Sequence, residues 1–177
     1  MDVFRAMAER HSYRGPFRER PVPRRDLVKI VKAGLQAPSG CNAQTTTFVV
    51  ADDPRILACI RKLHPMRAVQ DAKAVIACVI AKKPRPVYDS QSFEVEDCSA
   101  AIENLLLAVT ALGYATVWID GHLREGRRAE KLGRLLGVPR GRIVRVMLPI
   151  GTPASRGPRR NKKPFRERAW FNRHGRS

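Results

Sequence analysis

Apolar and polar positions along this 177-residue chain alternate in a few regular patterns. Val3, Phe4 and Met7 fall on one face of a helix predicted over residues 2–10. Leu27, Ile30, Val31, Gly34 and Leu35 follow the i, i+3, i+4, i+7, i+8 rule, which predicts an amphipathic helix over 23–36. Between the two, "RHSYRGPFRERPVP" carries Gly15, Pro16, Pro21 and Pro23, which forbid regular structure. Asp53-Pro54 opens a further short helix, proline being favoured in a first turn. The longest helix is expected over 94–112, apolar on more than half its circumference and stopped by Gly113. Such a helix belongs in a domain centre or against a partner subunit. One more helix is expected over 128–136, closed by "GVP".

Strand patterns lie between these helices. "TTFVVA" at 46–51 is β-branched and aromatic. "AVIACVIA" at 74–81 is continuously apolar, as in a strand buried on both faces. "ATVWI" at 115–119 and "RIVRVMLPIG" at 142–151 complete the set. The sum is an α/β or α+β domain spanning residues 1–177, with about four strands, a central buried helix and a basic tail from about residue 154.

A content of 44% hydrophobic and 28% charged residues belongs to a folded chain long enough to bury a core. The longest apolar run, Ala74 to Ala81, falls far short of the ~20 residues of a membrane helix. No apolar secretory h-region is seen near the N-terminus. Cys41, Cys59, Cys78 and Cys98 form no CxxC pair and have no histidine at ligand spacing, which argues against zinc and a disulfide framework. A cytoplasmic location is expected.

Charge changes the picture. Lys plus Arg number 34 against 16 Asp plus Glu, a net +18, which brings nucleic acid into consideration. The excess collects in residues 10–32 and 156–176. No DNA- or RNA-binding motif accompanies it, and 6% aromatic residues leave few stacking platforms, so nucleic acid stands as the lesser reading. Neither GxGxxG nor GxxxxGK[ST] occurs, and His11, His64, His122 and His174 are far apart. Any catalysis then rests on a bound cofactor rather than on a side-chain nucleophile.

Four separated stretches share one logic. "RHSYR" at 10–14 offers two guanidiniums, an imidazole and a hydroxyl; "APSGCNAQ" at 37–44 offers two carboxamides after a turn. "WIDG" at 118–121 ends a strand in glycine, and "RRNKKP" at 159–164 is a basic run capped by proline. In this order and spacing, over roughly residues 4–166, the chain resembles the FMN-dependent nitroreductase family. Asp97, Ala101 and Asn104 also match a family pattern on the long helix.

The resemblance implies an α+β sandwich: a mostly antiparallel sheet of about 4–5 strands flanked by helices, in an entwined homodimer with FMN sites lined by both chains. It assigns Arg10 and Ser12, with His11 beside them, to the phosphate and ribityl chain, joined by Arg160 and Lys162 of the tail. A guanidinium fork suits a dianionic phosphate. Pro38 and Ser39 shape the loop that presents Asn42 and Gln44 to the ring edge, where carboxamides donate and accept at once. Arg14 matches a cation near N1 and O2 of the flavin, where reduction places negative charge. Asp120 and Gly121 match backbone that approaches N5, glycine permitting the closeness. The implied activity is ping-pong: NADH or NADPH reduces the flavin, and a nitroaromatic, quinone or similar small oxidant reoxidises it.

The chain departs from the family where Gln44 is followed by Thr45-Thr46-Thr47 instead of the frequent "QPW", and where residues 82–94 leave little room for a substrate cover. Among the remaining positions, Cys41 reads as a small buried filler, Trp118 as core, and Arg18, Arg20, Arg24 and Arg25 as a solvated face. The competing functions are a basic nucleic-acid-binding module and a flavin-binding protein without turnover.

Overall fold

The computed structural model describes residues 1–158 and 160–175. Four antiparallel strands form one sheet in the order β1-β2-β4-β3: β1 is Thr47–Ala51, β2 Ala74–Ala81, β3 Ala115–Thr116 and β4 Arg142–Gly151. The helices are α1 Val3–Glu9, α2 Arg24–Leu35, α3 Pro54–Leu63, α4 Arg67–Gln70, α5 Glu94–Ala111, α6 Gly121–Arg124 and α7 Arg128–Leu135. The fold is α+β.

Strand β2 shows why its sequence lacks alternation. Ala74, Ile76, Cys78 and Ile80 enter one apolar core with Leu27 and Ile30 of α2 and Ile102 and Leu105 of α5. The intervening Val75, Ala77 and Val79 enter a second core with Leu57 and Ile60 of α3, Val69 of α4 and Leu132 of α7. Because successive strand side chains point to opposite faces, a strand covered on both sides must be apolar throughout. Helix α5 buries Asp97, Cys98, Ala101, Ile102, Leu105, Leu106 and Val109, as its composition requires. Gly113, at φ +79°, takes the left-handed position that ends it.

Strand β4 breaks the rhythm once. The β2–β4 pairing runs Cys78 to Val146 and then Val79 to Val144, so Arg145 is the extra residue of a bulge. Met147 then returns to the second core and Val146 and Leu148 to the first.

Two expectations need correction, the length of one strand and the burial of Cys41. The strand over 115–119 is only two residues long, with Ile119 rejoining Met147 by an isolated bridge; Trp118 between them is half-buried against the first core. The predicted α1 forms and lies against α5, but its apolar face stays largely open: Phe4 is 78% and Met7 52% exposed, and Ala6 alone is buried. Cys41 is exposed rather than a buried filler, because its loop turns outward through the left-handed region. Arg18, Arg20, Arg24 and Arg25 are solvent-exposed, Arg24 forking onto Asp52 at 2.5 and 3.0 Å.

Candidate functional site

The loop after α2 is a built structure, not a flexible connection. Asn42 N–H donates to Ser39 O at 2.9 Å and Ala43 N–H to Gly40 O at 3.0 Å, closing a tight turn. Cys41, Asn42 and Gln44 all sit at φ near +50°, a region that asparagine tolerates better than most residues. Gln44 N–H donates to Ser39 Oγ at 3.0 Å. From α5, the buried carboxylate of Asp97 accepts Gly40 N–H at 2.8 Å and the Thr45 hydroxyl at 3.3 Å. From β4, Arg142 donates to Thr45 O at 2.5 Å and to Val79 O at 3.2 Å. Gly40 is obligatory, since a Cβ there would collide with the Phe93 ring.

So anchored, the loop turns its carboxamides to solvent. Gln44 Nε2 donates to Asn42 Oδ1 at 3.3 Å, leaving Asn42 Nδ2 and Gln44 Oε1 unspent. Beside it lies a cleft of about 220 Å³, lined by Pro38, Ser39, Gln44, Thr46, Phe48 and Asp97 among others.

Segment 10–14 is fixed on the same helix. Arg10 pairs with Glu103 of α5 at 3.5 Å. Six residues separate Glu103 from Asp97, so the two anchors stand about 9 Å apart along the helix axis. His11 Nδ1 donates to Glu9 O at 3.0 Å, while its Nε2 is buried without a partner. Tyr13 turns inward, its hydroxyl donating to Pro16 O at 2.7 Å and accepting Ala154 N–H at 3.2 Å. Ser12 and Arg14 stay exposed, with only a 3.5 Å contact from Arg14 Nη1 to Ser12 O.

The chain beyond β4 folds back over this segment. Phe17 bridges Pro153, Arg18 N–H donates to Thr152 O at 2.8 Å, and Ala154 N–H donates to Pro16 O at 3.0 Å. Gly157 lies so close that a Cβ would stand 3.1 Å from His11 Nε2 and 3.0 Å from Tyr13 Cδ2. Three residues separate Arg160 from Gly157, so its Cα is within about 11 Å of that contact. Arg160 and Lys162 are exposed; Arg159, the first residue of the basic motif, lies outside the described residues.

The Asp120–Gly121 turn is held separately. The Asp120 carboxylate receives Arg124 at 2.7 Å through both oxygens and the bulge residue Arg145 at 2.9 Å. The Arg124 hydrogen bonds hold its pKa below the ordinary carboxylate value. With that side chain spent, the backbone is the group left to face a ligand. Gly121 is exposed, and a Cβ there would meet nothing within 4 Å. Cys98, next to Asp97, is close enough to feel Arg145, Asp120 and the Thr46 hydroxyl; burial pushes its thiol up to about 11. The loop is thus tied to the first half of α5 through Asp97, and the turn to β4 through Arg145.

This geometry suits a flat, polar-edged anion: spare carboxamide groups, an exposed guanidinium at Arg14 and open space above Gly121. Comparison with known proteins places the chain in a family. The model of the nitroreductase family matches residues 7–75 and 60–152. A protein of Archaeoglobus fulgidus, provisionally named NADH dehydrogenase/NAD(P)H nitroreductase, is 33% identical over 139 residues, covering 77% of this chain and 78% of its own. A similarly named protein of Methanothermobacter thermautotrophicus is 34% identical over 156 residues, covering 87% and 78%. The chain belongs to the nitroreductase family.

Solved structures show the same fold. A provisionally named NADH dehydrogenase/NAD(P)H nitroreductase from Bacteroides thetaiotaomicron superposes with a TM-score of 0.81 at 23% identity, covering 96% of each chain. A nitroreductase with bound FMN from Bacteroides fragilis gives 0.74 at 23% identity, covering 93% of this chain and 95% of that one.

Within this chain, the sequence motifs do not reveal Arg142 and Arg145, which hold Thr45 and Asp120, or Gly157, which lies against His11. The glycine within a basic run was a visible signal; the two arginines lie in a strand and gave none. A second polar cluster lies away from these residues. His64 is fully buried with neither ring nitrogen hydrogen-bonded, 5.3 Å from the His122 ring.

Proposed function

We propose that this nitroreductase is an FMN-dependent oxidoreductase, taking hydride from NADH or NADPH and delivering electrons to a nitroaromatic, quinone or similar small oxidant. The observation that carries the proposal is the anchored loop 38–44, which spends its own hydrogen bonds internally and leaves carboxamide groups free at its outer edge. Bound FMN would supply the two-electron chemistry in alternating half-reactions with donor and oxidant.

The protein's part is to hold and bias. Asn42 and Gln44 present donor and acceptor atoms to the ring edge, kept there by Pro38, Ser39 and Asp97. Arg10, His11 and Ser12, with Arg160 and Lys162 of the returning tail, form the phosphate and ribityl cradle; the Glu103 contact keeps the Arg10 side chain near α5. Arg14, exposed and always charged, would favour the negative charge that reduction adds to a bound flavin. Asp120 is locked by Arg124 and Arg145 so that the Asp120–Gly121 backbone lines the reactive side. No side-chain nucleophile is required.

The site belongs to a cytoplasmic homodimer. Phe4, Met7, Val28, Leu35, Val95 and Leu112 are exposed large apolar residues on α1, α2 and α5 or just after it, and so many on a monomer mark an interface. Among the described residues no helix is long and apolar enough to cross a membrane. The test is anaerobic reduction by each nicotinamide followed by addition of an oxidant. Parallel double-reciprocal plots support alternation between two half-reactions; intersecting plots, or flavin binding without oxidation of either donor, refute it.

A further inference from the structure

Most of the positive charge is not used by the proposed chemistry, and nearly half of it sits in residues 154–177, where nine Lys or Arg, only Arg160 and Lys162 among them given to the flavin phosphate, face one acidic residue, Glu167. Residues 158 and 160–168 are all exposed. Beyond Pro164 the backbone closes hydrogen bonds within the segment itself, such as Glu167 N–H to Pro164 O at 3.1 Å and Ala169 N–H to Phe165 O at 2.8 Å. The low aromatic content of the whole chain hides a local concentration: Phe165, Trp170 and Phe171 fall within seven residues. Phe165 and Phe171 are 65% and 80% exposed, and their rings lie 6.1 Å apart; Trp170 rests on His174 at 4.1 Å. Together with Arg166, Ala169, Asn172 and Arg173 they line an open groove of about 440 Å³.

We infer that this C-terminal segment is a binding site for single-stranded nucleic acid, with Phe165 and Phe171 as stacking platforms and Arg166, Arg168 and Arg173 as phosphate contacts. Flat exposed rings interleaved with guanidiniums are what unpaired bases on a polyanionic backbone require. Single strands fit the segment better than a bilayer does. Between residues 154 and 175 there is no Leu, Ile, Val or Met, and among the described residues the only helical element is a single 3₁₀ turn at Phe165–Glu167, which gives no amphipathic helix to sink into lipid. A second copy of the chain is disfavoured too, since the rest of the protein is itself strongly basic.

The test is fluorescence anisotropy of a labelled oligothymidylate of about 20 nucleotides, comparable to known single-strand site sizes, against the full FMN-loaded chain over a salt series. Binding should weaken as salt rises. Phe165→Ala with Phe171→Ala should lower affinity at least tenfold at unchanged flavin content. Arg166→Gln with Arg168→Gln and Arg173→Gln should flatten the salt dependence. Wild-type affinity in the phenylalanine variant, or equal binding of heparin and oligonucleotide, would reduce the segment to a plain polycation and overturn the inference. Binding to phosphatidylserine vesicles but not to the oligonucleotide would overturn it in favour of a membrane. Dissociation of the dimer in the phenylalanine variant would assign the rings to a subunit interface instead.

Discussion

Asp97 accepts the Gly40 amide at 2.8 Å, tying the centre of the loop after α2 to the buried first half of α5. The same carboxylate takes the Thr45 hydroxyl, so one side chain spans both ends of the segment that presents Asn42 and Gln44. Asp97→Ala leaves the Gly40 N–H without its acceptor, a loss of about 1–3 kcal/mol. Denaturant unfolding should show that loss, and FMN titration should show roughly tenfold weaker binding, ~1.4 kcal/mol. Asp97→Asn, which retains an acceptor oxygen, should fall between the two.

Arg14 is exposed and its guanidinium makes only one long internal contact, so its removal should hardly affect folding. Arg14→Ala should weaken FMN roughly tenfold and, if the reduced ring loses ~1.4 kcal/mol more than the oxidised one, lower the two-electron potential by about 30 mV. A spectroelectrochemical titration reads both quantities. Unchanged affinity and potential would remove Arg14 from the site.

Phe4 is 78% exposed on a helix that rests on α5 but leaves most of its apolar face open. Burial of such a ring stabilises an interface by about 1.5–3 kcal/mol. Phe4→Asp should therefore raise the dimer dissociation constant at least tenfold in sedimentation velocity, and flavin should be lost as the dimer separates.

His64 predicts a pH effect unrelated to the flavin. Burial, then the neighbouring His122 and Arg128, lower its pKa from 6.5 to about 4. Between those values the unfolded chain binds a proton that the folded chain refuses. The protein should thus keep full stability above pH 6.5 and lose up to ~3 kcal/mol as pH falls towards 4. His64→Phe, which cannot be protonated, should flatten that part of the stability profile.

The sheet and its covering helices were legible because each local pattern agreed with the global fold. The continuous apolar run of β2 could only be a strand covered twice, and the i, i+3, i+4 spacing of α2 could only be a helix with one buried face. Where the pattern misled, burial was set by something outside the single chain or by backbone conformation. Val3, Phe4 and Met7 are periodic like a core helix, yet Phe4 and Met7 are more than half exposed. Cys41 looked like filler by residue type, but its positive φ turns it out to solvent. The short β3 was unreadable because "ATVWI" is equally apolar whether it pairs fully or bridges only at its ends.

Of the candidate site, the sequence displays the polar residues and hides their supports. Asn42 and Gln44 stand out because two carboxamides after a Pro-Ser-Gly turn are unusual chemistry. Arg142 and Arg145 do not, since their partners, Thr45 O and Asp120, are 97 and 25 residues away. Only the antiparallel pairing of β4 and its bulge places them there.

The most direct measurement is the visible absorption spectrum of the purified protein, with FMN added, before and after anaerobic NADPH and then NADH. Flavin bands perturbed by binding and bleached by either donor are the predicted result. A protein that remains colourless and takes up no FMN would contradict the flavin site, and with it the role given to the loop that Asp97 holds.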